Sequence, residues 1–505
     1  MRRPRLRSAA VAAAIAIAVV ASGAGAKAAP GTPGYIARDA QNIADAYGRQ
    51  TAPDGQLSPE YGLANAQVVG PAYAAQLAAQ AATPTRPALS PGMAVPGWNS
   101  GNPYRRDWSG TRGQMTPVSF TNRYGALVRG DVFAPKPGAS DPYTGKALTG
   151  PYPGVVITTG SVQGSERMYW WLAQDLAERG YVVLTYDVQG QGTSETLPHQ
   201  GSIEDLPYCD LTAPPGAGEQ SPCPGVPFQQ TSNFVYGTED AIDFFLSTPS
   251  APYGNPSAGS APVDHYNPLW TRFDRSPDTQ TVTPGRTTRL AIAGHSLGAL
   301  AVSYVQSMDT RVQAVVALDK LATSTAIGNS PEFGAMGPLR PVVPALGVQS
   351  EYGFDVAPYY ANPGLFNPSG VSSPTQAPDP AREEKTGFDG WQQAGVDSMV
   401  IVPRASTHLE YTDISYVLPA SRYGQDVASH YAQAWLDKYL KHDPAADDAL
   451  LGTSFSYLEP VGSGVWRPVT LDRDAHLSFY YCSGYDLATA TGRAVNRDLN
   501  GVGCG

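Results

Sequence analysis

The chain has 505 residues, 42% of them apolar and only 15% charged, with 53 glycines, 46 prolines and a formal net charge of −10. That composition excludes a disordered chain and predicts a packed globular protein with long ordered loops. The acidic balance, with no basic patch interleaved with aromatics, argues against nucleic acid or an anionic membrane as a main partner.

The first segment, 1–29, reads as a secretory signal peptide. Arg2, Arg3, Arg5 and Arg7 precede the apolar run "AAVAAAIAIAVVA", and small residues follow around Ala24–Gly25–Ala26. The run is well short of the ~20 apolar residues that a membrane span needs, so no stable membrane insertion is expected. Removal of the segment with Lys27 takes five positive charges away and moves the net charge from −10 to −15. Export makes the even cysteine count a predicted pair of local disulfides, Cys209–Cys223 and Cys482–Cys504. No histidine accompanies either pair at a zinc-ligand spacing.

Residues 30–115 are rich in Ala, Pro, Gly and Gln, with two helical patches, "YIARDAQNIADAYGRQ" and "YGLANAQVVGPAYAAQLAAQAA". Their Tyr, Leu and Val need a surface to bury against, so this extension is expected to pack on the main body. From 116 to 445 the pattern alternates. "VSFTNRYGALVRGDVFAP" predicts two strands about the Tyr124–Gly125 turn, and "YPGVVITTG" a strand buried on both faces. "SERMYWWLAQDLAERG" predicts a helix ended by Gly180, "YVVLTYD" a strand and "SNFVYGTEDAIDFFLS" a helix. "RLAIAG", "VQAVVALD", "PVVPALGVQS" and "VDSMVIVP" follow as strands. "SLGALAVSYVQSM" and "YGQDVASHYAQAWLDKYLK" follow as helices. The order implies an α/β fold, a mostly parallel central sheet with helices on both faces. Inserts at 195–232, 249–287, 320–341 and 359–394 are expected over the C-terminal edge of that sheet, where ligands bind. Residues 446–505 form a tail with a possible strand at "HLSFYYC".

One motif carries chemistry. "GHSLG" sets Ser296 between Gly294 and Gly298, directly between a buried strand and an apolar helix. Such a turn lifts a serine Oγ out of the sheet beside the positive end of the helix. A serine needs an imidazole to take its proton and an acid to fix that imidazole, in the chain order Ser, acid, His. His199, His265 and His295 precede Ser296 in the chain; His430 and His442 read as solvated, and His476 lies in the tail. His408, between the last core strand and the last helix, is the expected base. The acid should follow "VVPALGVQS", and Glu351 does so at once. It is favoured because its longer side chain can compensate for an early position, with Asp355, four residues later, and Asp319, which ends "VQAVVALD", as the alternatives. The amides of Leu297 and Ser161 are the expected oxyanion donors.

From about 116 to 441 the chain resembles the α/β-hydrolase superfamily. Within it, the chain is similar to secreted bacterial dienelactone-hydrolase-like and polyester-hydrolase-like esterases. The likeness rests on Gly160–Ser161, Trp170–Trp171, the "YDVQGQGTS" turn (Asp187, Gly190, Gly192, Ser194), "GHSLG", "VPAL…E", "STH" and the closing helix. The resemblance implies a secreted serine hydrolase acting on a small or polymeric carboxylic ester, with no metal or organic cofactor. An acyltransferase or peptidase on the same fold, or a non-catalytic binding protein, are the alternative functions.

Overall fold

The computed structural model describes residues 32–161, 164–197, 231–319, 321–322, 339–354, 356, 383–414 and 423–504. The predicted signal peptide, Cys209, Cys223 and Asp355 lie outside the described residues.

Twelve strands are described: β1 (Gly113–Thr121), β2 (Leu127–Pro135), β3 (Gly154–Thr158), β4 (Val182–Tyr186), β5 (Leu290–His295), β6 (Val312–Leu318), β7 (Ala345–Val348), β8 (Ser398–Ile401), β9 (Ser454–Gly462), β10 (Val465–Asp472), β11 (Gly484–Thr489) and β12 (Gly492–Asn496). Ten of them form one sheet in the order β1-β2-β4-β3-β5-β6-β7-β8-β11-β12. The block from β4 to β8 is parallel, and β1, β2, β11 and β12 extend it antiparallel. The fold is therefore α/β, as the alternating pattern predicts.

Two-residue periodicity divides the core. Val155, Ile157, Val183, Ala291, Ala293, Ala314 and Val316 face one side, under α3 (Trp170–Glu178) and α7 (Tyr423–Leu436). Val156, Val182, Leu184, Leu290, Ile292, Val315 and Ala317 face the other, under α4 (Thr231–Leu246), α5 (Leu297–Met308) and α6 (Glu383–Gln393). Both faces are covered, so the central strands are apolar runs without alternation. From β3 the chain steps to β4 on one side and to β5 on the other. This reversal opens a crevice at the carboxyl ends of β3 and β5, the usual location of a site in such sheets.

Ahead of the sheet run α1 (Pro33–Thr51) and α2 (Pro59–Ala82), each opened by a side-chain cap, Thr32 or Ser58, with proline in the first turn. Tyr35 and Ala46 of α1 pack with Tyr352, Phe388, Val400 and Tyr480 of the body and tail.

Two expectations need correction. Residues 249–287 lie over the C-terminal edge only in part. Asn255 Oδ1 accepts from Thr121 N–H (2.9 Å) and Asp264 from Ser119 N–H (2.8 Å), at the C-terminal end of β1. The rest returns the chain into β5 past the opposite end, where Arg272 O accepts from the Tyr152 N–H just ahead of β3 (2.7 Å). "HLSFYYC" is not a strand, because side chains take its backbone donors. Ser478 Oγ accepts from the N–H groups of Tyr480 (2.9 Å) and Tyr481 (3.0 Å), and Glu351 accepts from Phe479 (2.9 Å). The tail's strands are β9 to β12, and Cys482 and Cys504 are joined by a disulfide.

Candidate active site

Ser296 stands between β5 and α5 at φ 56, ψ −122, a conformation that L residues seldom adopt. The flanking glycines permit it. A Cβ at Gly294 would overlap the Gly298 carbonyl, and one at Gly298 would overlap the carbonyls of Thr158 and Thr159. The hydrogen bond from Ser296 N–H to Leu318 O (2.9 Å) fixes the turn to β6. A strained residue held by its surroundings is a functional signal, and here it presents a hydroxyl at the helix N-terminus.

His408 lies in a single helical turn, His408–Tyr411, after β8. Its Nε2 is 3.0 Å from Ser296 Oγ, and its Nδ1 is 2.6 Å from Asp319 Oδ2. Asp319 directly follows β6 at φ 41, and its carboxylate also accepts from Ser350 N–H (3.0 Å) and Ser350 Oγ (2.7 Å). Burial pushes the Asp319 pKa up, but the His408 contact and the Ser350 bonds outweigh it and hold the carboxyl well below its usual range. It is an anion at any neutral pH.

The favoured acid, Glu351, is directed elsewhere. It is fully buried, with Oε2 accepting from Asn42 Nδ2 (2.5 Å) and from Ala405 N–H (2.6 Å), and Oε1 from Phe479 N–H (2.9 Å). Burial raises its pKa against the pull of these bonds. Of the three carboxylates weighed from sequence, Asp319 is the one described against the His408 ring. The difference is one of strand: the carboxylate that meets the His408 ring follows β6, not β7. Sequence position favoured β7, but Ser350 and Asp319 adjoin across the β6–β7 pair, so both strand ends reach the same place.

The loop after β3 reaches the same point. A Cβ on Gly160 would lie 3.2 Å from Ser296 Cβ, so the backbone leading to Ser161 abuts the serine. Leu297 N–H opens α5, where no intrahelical acceptor exists. The "YDVQGQGTS" turn bonds the end of this loop through Gln191 Oε1, which accepts from Gly164 N–H (3.2 Å), and through Asp187, which accepts from Glu166 N–H (2.6 Å); Thr193 N–H (2.6 Å) and Oγ1 (2.8 Å) hold Asp187 in place.

Sequence reading gave no role to His295 or Tyr169. His295 Nε2 lies 2.9 Å from His408 O; a carbonyl only accepts, so Nε2 carries the proton. Nδ1 then accepts from Tyr169 OH (2.8 Å), which itself accepts from Gly160 N–H (3.0 Å). The loop after β3, the Ser296 turn and the His408 loop are thus tied together through one neutral imidazole. Burial, then the nearby His408, lowers the His295 pKa to about 3. The unfolded chain takes up a proton near pH ~6.5 while the folded one does not, so His295 stabilises less as pH falls below that value. The stability penalty of His295→Gln in urea unfolding should be smaller at about pH 5 than at about pH 8, by on the order of 2 kcal/mol. A penalty independent of pH would contradict this neutral state.

His430 and His442, read as solvated, are both engaged. His430 stacks on Phe455 at 4.1 Å and bonds Ala449 O, and His442 bonds Asp278 at 2.9 Å. Neither approaches the serine network through a described contact. Phe354 is 40% exposed and sets its ring edge-on to His408, 5.1 Å between centroids.

No protein-family profile matches the chain. It is 28% identical over 149 residues to an uncharacterized protein of Pseudomonas aeruginosa, a match spanning 28% of this chain and 38% of that protein's length. Among the described residues, no helix is long and apolar enough to cross a membrane. Among solved structures, a ferulic acid esterase from Streptomyces cinnamoneus is similar over 66% of this chain and 90% of its own, at 16% identity and a TM-score of 0.35.

Proposed function

We propose that the protein is an exported serine hydrolase that cleaves carboxylic esters through an acyl-enzyme on Ser296. One observation carries the reading: an unbroken polar line from Ser296 Oγ through His408 to the anionic Asp319 carboxylate. In this reading His408 Nε2 takes the Ser296 proton as Oγ attacks the ester carbonyl. Asp319 keeps Nδ1 protonated and stabilises the imidazolium. The amides of Leu297 and Ser161 hold the oxyanion. Collapse of the tetrahedral adduct expels the alcohol, which receives the proton from His408. Water, deprotonated by His408, then attacks the acyl-enzyme and frees the acid and Ser296. Export is supported by the arginine-led apolar N-terminus and the Cys482–Cys504 disulfide.

Pre-steady-state turnover of p-nitrophenyl acetate tests the reading. A burst of about one nitrophenolate per protein, followed by slower steady release, is the expected result. Absence of turnover across short-chain and aromatic activated esters would refute it. The exposed Phe354 ring beside His408 offers apolar contact to a bound acyl or alkoxy group. Phe354→Ala should raise KM for benzoyl or butyryl esters about tenfold, the scale of losing 1–2 kcal/mol of apolar contact, and leave acetyl esters nearly unchanged. Equal KM changes for all acyl groups would remove Phe354 from the substrate path.

A further inference from the structure

The loop that carries His408 leaves β8 and passes through Arg404 and Ala405. Ala405 stands at φ 57, a left-handed conformation that an alanine keeps only under external constraint. The constraint comes from both ends of the chain. Glu351 accepts from Ala405 N–H on the same oxygen that accepts from Asn42 of α1, and its other oxygen accepts from Phe479 of the tail. Asn42 Oδ1 accepts from Arg404 Nε (2.8 Å), and Asp45 of α1 pairs with the Arg404 head group. Arg404 also lies over the Phe479 ring at 4.7 Å, and its N–H bonds His476 O (2.7 Å). Behind these contacts, residues 351–353 bind 406–408 directly. Glu351 N–H donates to Ser406 Oγ (3.0 Å), Tyr352 N–H to Ser406 O (2.9 Å) and His408 N–H to Gly353 O (2.7 Å).

We propose that Glu351 and Asn42 form a positioning clasp, through which the N-terminal helix and the C-terminal tail hold the 403–408 loop so that His408 meets Ser296. The inference rests on His408 being the base of the proposed hydrolase. Glu351 and Asn42 are positioning residues, and neither touches the reacting atoms. A buried carboxylate demands that its lone pairs be filled, so the donors that converge on it fix one another's places. A base displaced by about 1 Å costs roughly 100-fold in rate, so small motions of this loop are expensive.

The test compares Asn42→Ala and Arg404→Met with wild type in the full chain; the arginine is only partly buried, so its variant is the safer folder. Ser296 labelling by a fluorophosphonate, thermal unfolding and amide hydrogen exchange are measured together. In folded variants the clasp predicts labelling slower by about 10- to 100-fold, little change in KM for a short ester, and faster exchange confined to 403–410. Normal labelling in both folded variants, or labelling lost without faster exchange in that loop, would overturn the clasp. Wild type that takes no label would instead refute the hydrolase reading, and the clasp with it.

Discussion

Ser296→Ala is expected to lower kcat for an activated ester by about a million-fold, the scale of removing the nucleophile from a working triad. KM should change little, because the hydroxyl adds almost nothing to ground-state binding. The protein should stay folded. The turn is held by Ser296 N–H on Leu318 and by the close contacts of Gly294 and Gly298, all of which alanine retains. Residual activity above the water rate would be the share of the oxyanion donors, which the substitution leaves in place. Retention of more than about a hundredth of wild-type kcat would mean that another group attacks the ester.

The acid gives the second large effect. Asp319→Asn should lower kcat about 10,000-fold at neutral pH, since an amide in place of the carboxylate favours the wrong His408 tautomer and stabilises no imidazolium. Two Ser350 bonds and the His408 bond hold the carboxylate, so asparagine should keep the geometry. Glu351→Gln makes the contrast. It turns an amide group toward N–H donors at a buried hub, so it should cost stability and, through the clasp, no more than about 100-fold in rate. If instead Glu351→Gln proved the more damaging to kcat in folded protein, Asp319 would not be the triad acid.

The fold was legible because its signals are local. Short apolar runs rich in β-branched residues, such as "GVVIT" and "VQAVVAL", read as strands buried on both faces, and their alternation with helices implies a parallel sheet. The Ser296 turn was legible for the same reason: its glycines, strand and helix are contiguous. That His408 would lie beside it followed from chain order. Which carboxylate would meet the His408 ring did not, because two adjacent strand ends each present a carboxylate and only the side-chain direction separates them. Glu351 points back toward α1, which lies more than 300 residues earlier in the chain. The Tyr169–His295 tie was invisible for a similar reason, since its partners are 126 positions apart. "HLSFYYC" has strand composition, but Ser478 and Glu351 compete successfully for its amides.

The central claim is that Ser296 is an activated nucleophile, and intact-protein mass spectrometry after fluorophosphonate treatment tests it most directly. The account predicts a single adduct per chain, mapped to the peptide carrying Ser296, absent from Ser296→Ala and formed far more slowly by Asp319→Asn. Folded wild-type protein that takes no adduct, or an adduct that persists in Ser296→Ala, would contradict it.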